Sequence, residues 1–282
     1  MVSLRHLLRG FAQATGRVRV IPFATALGLG VARPLPMAFP RLSSAAQKQL
    51  LDAIVARSHK KAGAPPPVVV FDLDGTLFDN RPRSLAILHE LATRWQEREP
   101  EAAAALTSAK ISQLAYLLTE SLANVGVTRT DLIADAEVFW RDRFFVDPYL
   151  KHDRPLAGAV RFAKDCYEAG ALLLYFTGRD LPLMGPGTFA SLRDSGFPIG
   201  VVGTELVLKP DAAMPDEAFK RLVGADLARV GDVIAIFDNE PGNCNVLGEH
   251  FPSADSCFVD TQHLPGAPAL SPSVKVILDF QR

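Results

Sequence analysis

The sequence is short of cysteine: Cys166, Cys244 and Cys257 are the only three in 282 residues, an odd number without CxxC spacing. That excludes a disulfide framework and a metal or redox motif built on paired cysteines, and it fits a reducing compartment. The six histidines are scattered without an HExxH arrangement, so no zinc site is legible. A GxxxxGK nucleotide loop is also missing. Acids are absent before Asp52, where six arginines and one lysine stand, and the remainder is correspondingly acidic. An acidic body offers no surface for a phosphate backbone, so nucleic acid is not an expected partner. No run is apolar for long enough to span a bilayer, which argues against a membrane protein. The nearest, VIPFATALGLGVA at 20–32, has three readings: the core of a secretory signal, part of an Arg-rich cleaved targeting segment, or a plain extension. Pro22, the long basic region before it and the odd cysteine count speak against secretion, and we read an extension on a cytoplasmic protein.

What is present is ordinary globular material, 48% hydrophobic and 22% charged, enough for one large α/β domain and a smaller unit. Residues 1–64 read as a basic extension with a helix near 44–60, capped by Ser43 or Ser44 and ended by KKAGAPPP. The run VVVF (68–71) is short, β-branched and unalternating, as a strand buried on both faces of a parallel sheet would be. Similar runs follow at 171–176, 199–202, 205–208, 233–237, 257–260 and 274–278, mostly separated by helical patterns such as 158–170 and 215–230. ELVL (205–208) also suits a hairpin or flap. Strands alternating with helices predict a doubly wound, mostly parallel, Rossmann-like sheet. Residues 81–154 break the rhythm: they hold helical stretches at about 83–97, 101–124 and 130–146 and no strand-like run. The division is therefore 65–80 and 155–282 as the α/β core, with 81–154 as an all-helical insertion.

The chemistry starts at FDLDGTLFDN. Asp72 and Asp74 follow the first strand two positions apart, so both side chains face the same way before Gly75 turns the chain. Two carboxylates this close need a cation or a shared proton, conditions that suit phosphoryl transfer with one acid as nucleophile and the other as proton donor. Asp and Gly also end strands for no other reason than turn formation. Further along lie LLLYFTGRD with Thr177 and Gly178, LVLKPD with Lys209, and VIAIFDNEPGN with Asp238, each at the end of an apolar run.

With these four segments in order, the chain from about 66 to 262 resembles the haloacid dehalogenase superfamily, phosphatase branch. The resemblance implies Asp72 as nucleophile, Asp74 as acid and base, and Thr177 with Gly178 as phosphoryl ligands. It implies Lys209 as the balancing cation, with Lys220 as runner-up, and Mg2+ bound by Asp72, the Asp74 backbone carbonyl and Asp238. Many members carry a second acid in the last segment; here Asn239 and Asn243 occupy its places, able to ligate through oxygen but without charge, and Glu240 is a possible substitute. The helical insertion resembles the family's C1-type cap, which would close on a small phosphorylated metabolite, with Asn80, Arg81 and Arg83 as candidate substrate contacts. A phosphomutase, or a binding module with impaired metal affinity, are the alternatives; oligomeric state is not legible. One competing motif, GPGTFA (185–190), matches the dinucleotide pattern GxGxxA but follows its strand by eight residues and contains Pro186, so it reads as loop.

Overall fold

The computed structural model describes residues 39–282. The apolar segment 20–32 lies outside them. The first element, α1 (Ser44–Arg57), is capped by Ser43, whose hydroxyl accepts from the amide of Ala46. It is followed by β1 (Pro67–Phe71), fully buried along its length. β1 is the centre of a six-stranded parallel sheet. The order is β5 (Thr204–Lys209), β4 (Leu172–Asp180), β1, β6 (Asp232–Asp238), β7 (Asp255–Val259), β8 (Lys275–Ile277).

The unalternating VVVF is explained by what covers it. Val69 and Phe71 pack with Leu51 and Ile54 of α1 and with Phe162, Ala163 and Cys166 of α6 (Ala159–Ala169). Val68 and Val70 pack on the opposite face with Phe219 of α8 (Asp216–Gly224) and Leu247 of α9 (Pro241–His250). Each face is closed by helices, so no strand position is left for a polar residue until the carboxyl end. From β1 the chain builds outward through β4 and β5, then returns to β6 on the other side. The crevice at the carboxyl ends of β1, β4 and β6 is thus a topological switch point, where such sheets bind ligands.

Residues 81–144 form helices α2 (Arg81–Trp95), α3 (Pro100–Thr107), α4 (Leu118–Asn124) and α5 (Thr130–Phe144), which bury a cluster of their own around Ile87, Leu91, Trp95, Leu106, Leu122 and Phe139. The chain leaves for these helices along β2 (Phe78–Asp79) and returns along β3 (Arg154–Pro155), and the two pair antiparallel. The stretch expected as one helix over 101–124 is broken. Gln113 and Asn124 exchange side-chain bonds with each other's carbonyls and Ser121 Oγ holds the amide of Ala115, local bonds that compete with the helix ladder.

Two more expectations are corrected. IGVV (199–202) is a turn with Gly200 at φ 72° and Gly203 at φ 88°, leading into β5, which is an edge strand of the parallel sheet. GPGTFA lies inside α7 (Leu181–Ser195), which Asp180 caps. Its glycines serve close packing: the Gly187 amide donates to Asp147 of the returning segment at 2.7 Å, and a Cβ there would stand 2.6 Å from the same carboxylate. Among the described residues no helix is long and apolar enough to cross a membrane.

Candidate active site

Asp72 is the first residue beyond β1, held in register by its amide to the Phe237 carbonyl at 2.9 Å. Leu73 turns into the core, so Asp72 and Asp74 both face the crevice. The carbonyl of Leu73 then accepts from the amides of Thr76, Leu77 and Phe78, which closes a tight loop through Gly75 at φ 76°. Glycine is needed there twice over, since a Cβ would also fall 2.3 Å from the Asn239 amide nitrogen.

Lys220 of α8 donates to Asp72 Oδ1 at 2.7 Å and to Asp238 Oδ2 at 2.5 Å, and all three side chains are buried. The resemblance implied Lys209 as the cation beside Asp72, with Lys220 as runner-up. Lys209 instead ends β5, two strands away from β1, and binds Asp216 at 2.6 Å and the Met214 carbonyl at 2.9 Å. Lys220 shares the inward side of α8 with Phe219 and Gly224. Its position on that stripe was the available signal, and a lysine there reads first as solvated.

Thr177 lies two residues past Tyr175, which registers with Phe71 of β1, so its buried hydroxyl sits at the same end of the sheet as Asp72. The Thr177 hydroxyl accepts from the amide of Arg179 at 3.2 Å. At Gly178 a Cβ would be 2.2 Å from the Asp216 carboxylate, so this backbone is closely covered as well.

Asp238 ends β6. Its Oδ1 accepts from the Glu240 amide at 2.8 Å and from Asn243 Nδ2 at 3.2 Å, so Asn243 orients the acid. Asn239 is fixed at both ends: its carbonyl accepts from the Thr76 hydroxyl at 3.2 Å and its NH2 donates to the Gln262 carbonyl at 2.6 Å. The same Thr76 hydroxyl is 3.1 Å from Asp72 Oδ2. Glu240 is engaged by the Leu264 amide and the Tyr116 hydroxyl. Tyr116 comes from the broken stretch of the helical insertion, and nearby Gln262 Nε2 donates to the Leu114 carbonyl at 2.5 Å. The insertion therefore touches the core at the mouth of the crevice, a contact the sequence gave no sign of.

The second carboxylate, Asp74, has different company. Arg179 reaches it with Nε at 2.7 Å and Nη2 at 2.9 Å, and Arg83 with Nη2 at 2.6 Å. Of the candidate substrate contacts, Asn80 lies 3.5 Å from Asp74, Arg81 is paired with Asp79, and Arg83 is wholly buried. Arg179 follows Thr177 by two positions, in the part of β4 where the register with β5 shifts, and no regular pattern marked it.

These surroundings push the two acids apart. Burial raises Asp72, to about 7, with Asp238 and Asp74 adding to it and Lys220 opposing. Burial also works against the Asp74 charge, but Arg179 and Arg83 outweigh it and hold that carboxyl well below its ordinary range. Asp238 and Asp72 overcome the burial of Lys220 and keep it charged. Burial raises Glu240 to about 7, with Asp238 contributing.

Among the described residues no three His, Cys, Asp or Glu side chains form a metal-binding group. Asp72 and Asp238 do converge on one positive centre, Lys220 Nζ, and neutral oxygen stands close by on Asn239. Two carboxylates with neutral oxygens fit Mg2+, which keeps several waters and takes few protein ligands.

No protein-family model matches the chain, and no curated protein matches it. Solved structures do. A provisionally named phosphatase from Clostridium difficile is 15% identical, with a TM-score of 0.49 over 74% of this chain and 93% of that one. Protein Tyrosine Kinase A of Mycobacterium tuberculosis is 16% identical, with a TM-score of 0.47 over 77% and 94%. A haloacid dehalogenase-superfamily hydrolase from Geobacter sulfurreducens is 16% identical, with a TM-score of 0.43 over 79% and 96%. At these values function has to be read from the side chains themselves.

Proposed function

We infer that the chain is a phosphomonoester hydrolase that works through an aspartyl-phosphate on Asp72 and acts on a small phosphorylated metabolite. One observation carries this reading: Lys220 joins Asp72 to Asp238 at the carboxyl ends of adjacent strands, beside the end of β4 that bears Thr177. These are residues through which the sequence resembles the haloacid dehalogenase superfamily, with Lys220 in place of Lys209.

In this reading Asp72 Oδ attacks phosphorus, the ester P–O bond breaks, and the leaving oxygen takes a proton from Asp74. Water then attacks phosphorus and gives a proton to Asp74 as the P–O bond to Asp72 Oδ breaks, which releases phosphate and restores the Asp72 carboxylate. The Arg-bound Asp74 of the structure is the ionised, proton-accepting form. Lys220 offsets charge on the nucleophile, and the Thr177 hydroxyl with the Gly178 backbone receives phosphoryl oxygens. Mg2+ would be held by Asp72, the Asp74 carbonyl and Asp238, with Asn239 as a neutral neighbour, and would neutralise phosphate charge.

The helical insertion acts as a cap. Its contacts through Leu114 and Tyr116 stand at the mouth of the crevice and restrict access to it, which favours a small substrate over a protein or nucleic-acid phosphosite. The cysteines among the described residues are free and buried, in keeping with a reducing, cytoplasmic setting.

The test is phosphate release from p-nitrophenyl phosphate and a panel of phosphorylated metabolites, with and without Mg2+. Mg2+-dependent release that disappears in Asp72→Asn is expected. Full activity in Asp72→Asn overturns the reading. Conversion of sugar phosphates into isomers without release identifies a mutase, and absence of both turnover and Mg2+ binding identifies a binding module.

A further inference from the structure

Beyond the residues that the resemblance brings to the site lies a buried group of four charges: Asp74, Arg83, Asp153 and Arg179. Arg83 Nη2 is 2.6 Å from Asp74 Oδ1 and 2.6 Å from Asp153 Oδ2. Arg179 Nη2 is 2.9 Å from the same Asp74 oxygen and 2.8 Å from the same Asp153 oxygen. The two carboxylates thus compete for the same two nitrogens, and the square is electrically balanced.

Its corners are not equivalent. The Asp153 side chain is fully enclosed and also holds Arg83 Nε at 2.8 Å, whereas the Asp74 side chain is 28% exposed and faces the crevice. Arg83 is fixed further by the Phe144 carbonyl at 3.1 Å and by the Phe144 ring, 4.2 Å from its guanidinium carbon. Arg179 has Thr188 at 3.4 Å. Both arginines have a partner outside the square, Asp153 is enclosed between them, and only Asp74 borders the crevice.

We propose that Arg83, Arg179 and Asp153 are positioning residues for Asp74: Asp153 anchors both guanidiniums, so that Asp74 can turn from them to the substrate and back without leaving either arginine unpaired. The inference rests on the phosphatase reading and adds to it. It also gives the insertion a part in the chemistry, because Arg83 stands in the first turn of α2 and Asp153 directly precedes β3, at the two ends of that segment.

The readout is the dependence of kcat/KM on the leaving group. Phenyl phosphate needs a proton on its departing oxygen, and 2,4-dinitrophenyl phosphate needs almost none. In Asp153→Asn the arginines have Asp74 as their one carboxylate within the group, so Asp74 is held back. The loss in kcat/KM with phenyl phosphate is expected to exceed that with the dinitrophenyl ester by about tenfold or more, and Asp153→Glu should recover part of it. Equal losses on both substrates, or none, overturn the proposal.

Asp153→Asn leaves a buried positive charge in excess, so Arg83→Gln/Asp153→Asn, which keeps the balance, serves as the second variant. In it Arg179 has lost Asp153 and keeps Asp74 as its carboxylate partner, so Asp74 is still held back and the same selective shift with leaving group is expected. A crystal structure of the wild type with beryllofluoride on Asp72, mimicking the aspartyl-phosphate, supplies a second measurement. Asp74 turned towards the adduct, with both arginines still on Asp153, supports the proposal; arginines that follow Asp74 off Asp153, or four unchanged bonds, overturn it. A wild type with neither turnover nor adduct marks the failure of the phosphatase reading itself, and the inference falls with it.

Discussion

Lys220 Nζ lies 2.7 Å from Asp72 Oδ1 although 148 residues separate the two in the chain. The bond places a buried cation on the proposed nucleophile, and Asp238 shares it. Lys220→Gln is expected to lower phosphate release by about 10²- to 10³-fold, the usual effect of removing one electrostatic stabiliser. It should also lower the melting temperature, because two buried carboxylates lose their partner. Lys209→Gln, which breaks a pair with the exposed side of Asp216, should stay within about fivefold of the wild-type rate. The reverse ranking, measured under the same Mg2+ conditions, would return the function to Lys209.

Asn239 stands where many relatives in the resembled family have an acid, and its amide is tied on both sides. Asn239→Asp places a carboxylate oxygen against the Gln262 carbonyl, which now accepts from Nδ2 at 2.6 Å. The lost bond and the new repulsion should cost about 1–3 kcal/mol. Thermal unfolding in EDTA should therefore show a lower melting temperature for the variant. A rise would mean that the asparagine is not a brace.

Gly187 tests the contact between α7 and the returning segment. Alanine would improve helix propensity by up to about 1 kcal/mol, but its Cβ would stand 2.6 Å from the Asp147 carboxylate and 2.9 Å from the Asp147 Cα. Overpacking of this kind costs about 1–3 kcal/mol. Gly187→Ala should unfold at a lower temperature by calorimetry; an unchanged or higher value would show that Asp147 moves aside freely.

Burial pushes the Cys166 thiol up to about 12 and raises Cys244 and Cys257 as well. At pH 8 only roughly one Cys166 in ten thousand is then a thiolate. The folded protein should leave all three thiols unlabelled by a thiol reagent, and denaturant should release all three. In the unfolded chain these thiols ionise near about 8.5. Above that pH the folded state keeps the more protons, so the thiols' contribution to stability falls as pH rises towards 12. Rapid labelling of the native protein would contradict this.

The fold was readable because β1 is covered on both faces: Val68 to Phe71 had no choice but to be apolar, and the period of the helices followed. Asp72, Asp74, Thr177 and Asp238 could be picked out because each lies at or near the carboxyl end of an apolar run that forms a strand. Lys220 was harder, since a helix shows its inward side only through its neighbours. Asp153, Tyr116 and Gln262 reach the site through tertiary packing of the insertion and a distant loop, and no local pattern marks such residues. IGVV failed as a strand because two glycines, Gly200 and Gly203, take left-handed conformations that apolar content does not report.

The pairing of β2 with β3 joins two residues to two, and the whole helical insertion hangs from it. Beside that ribbon α7 holds the returning segment as well, the Gly187 amide donating to Asp147 and the Ser191 hydroxyl to the Leu150 carbonyl. The helices are thus held at two separated places, by the ribbon with α7 on one side and by Gln262 and Glu240 against Leu114 and Tyr116 on the other, and Arg83 belongs to the first of these.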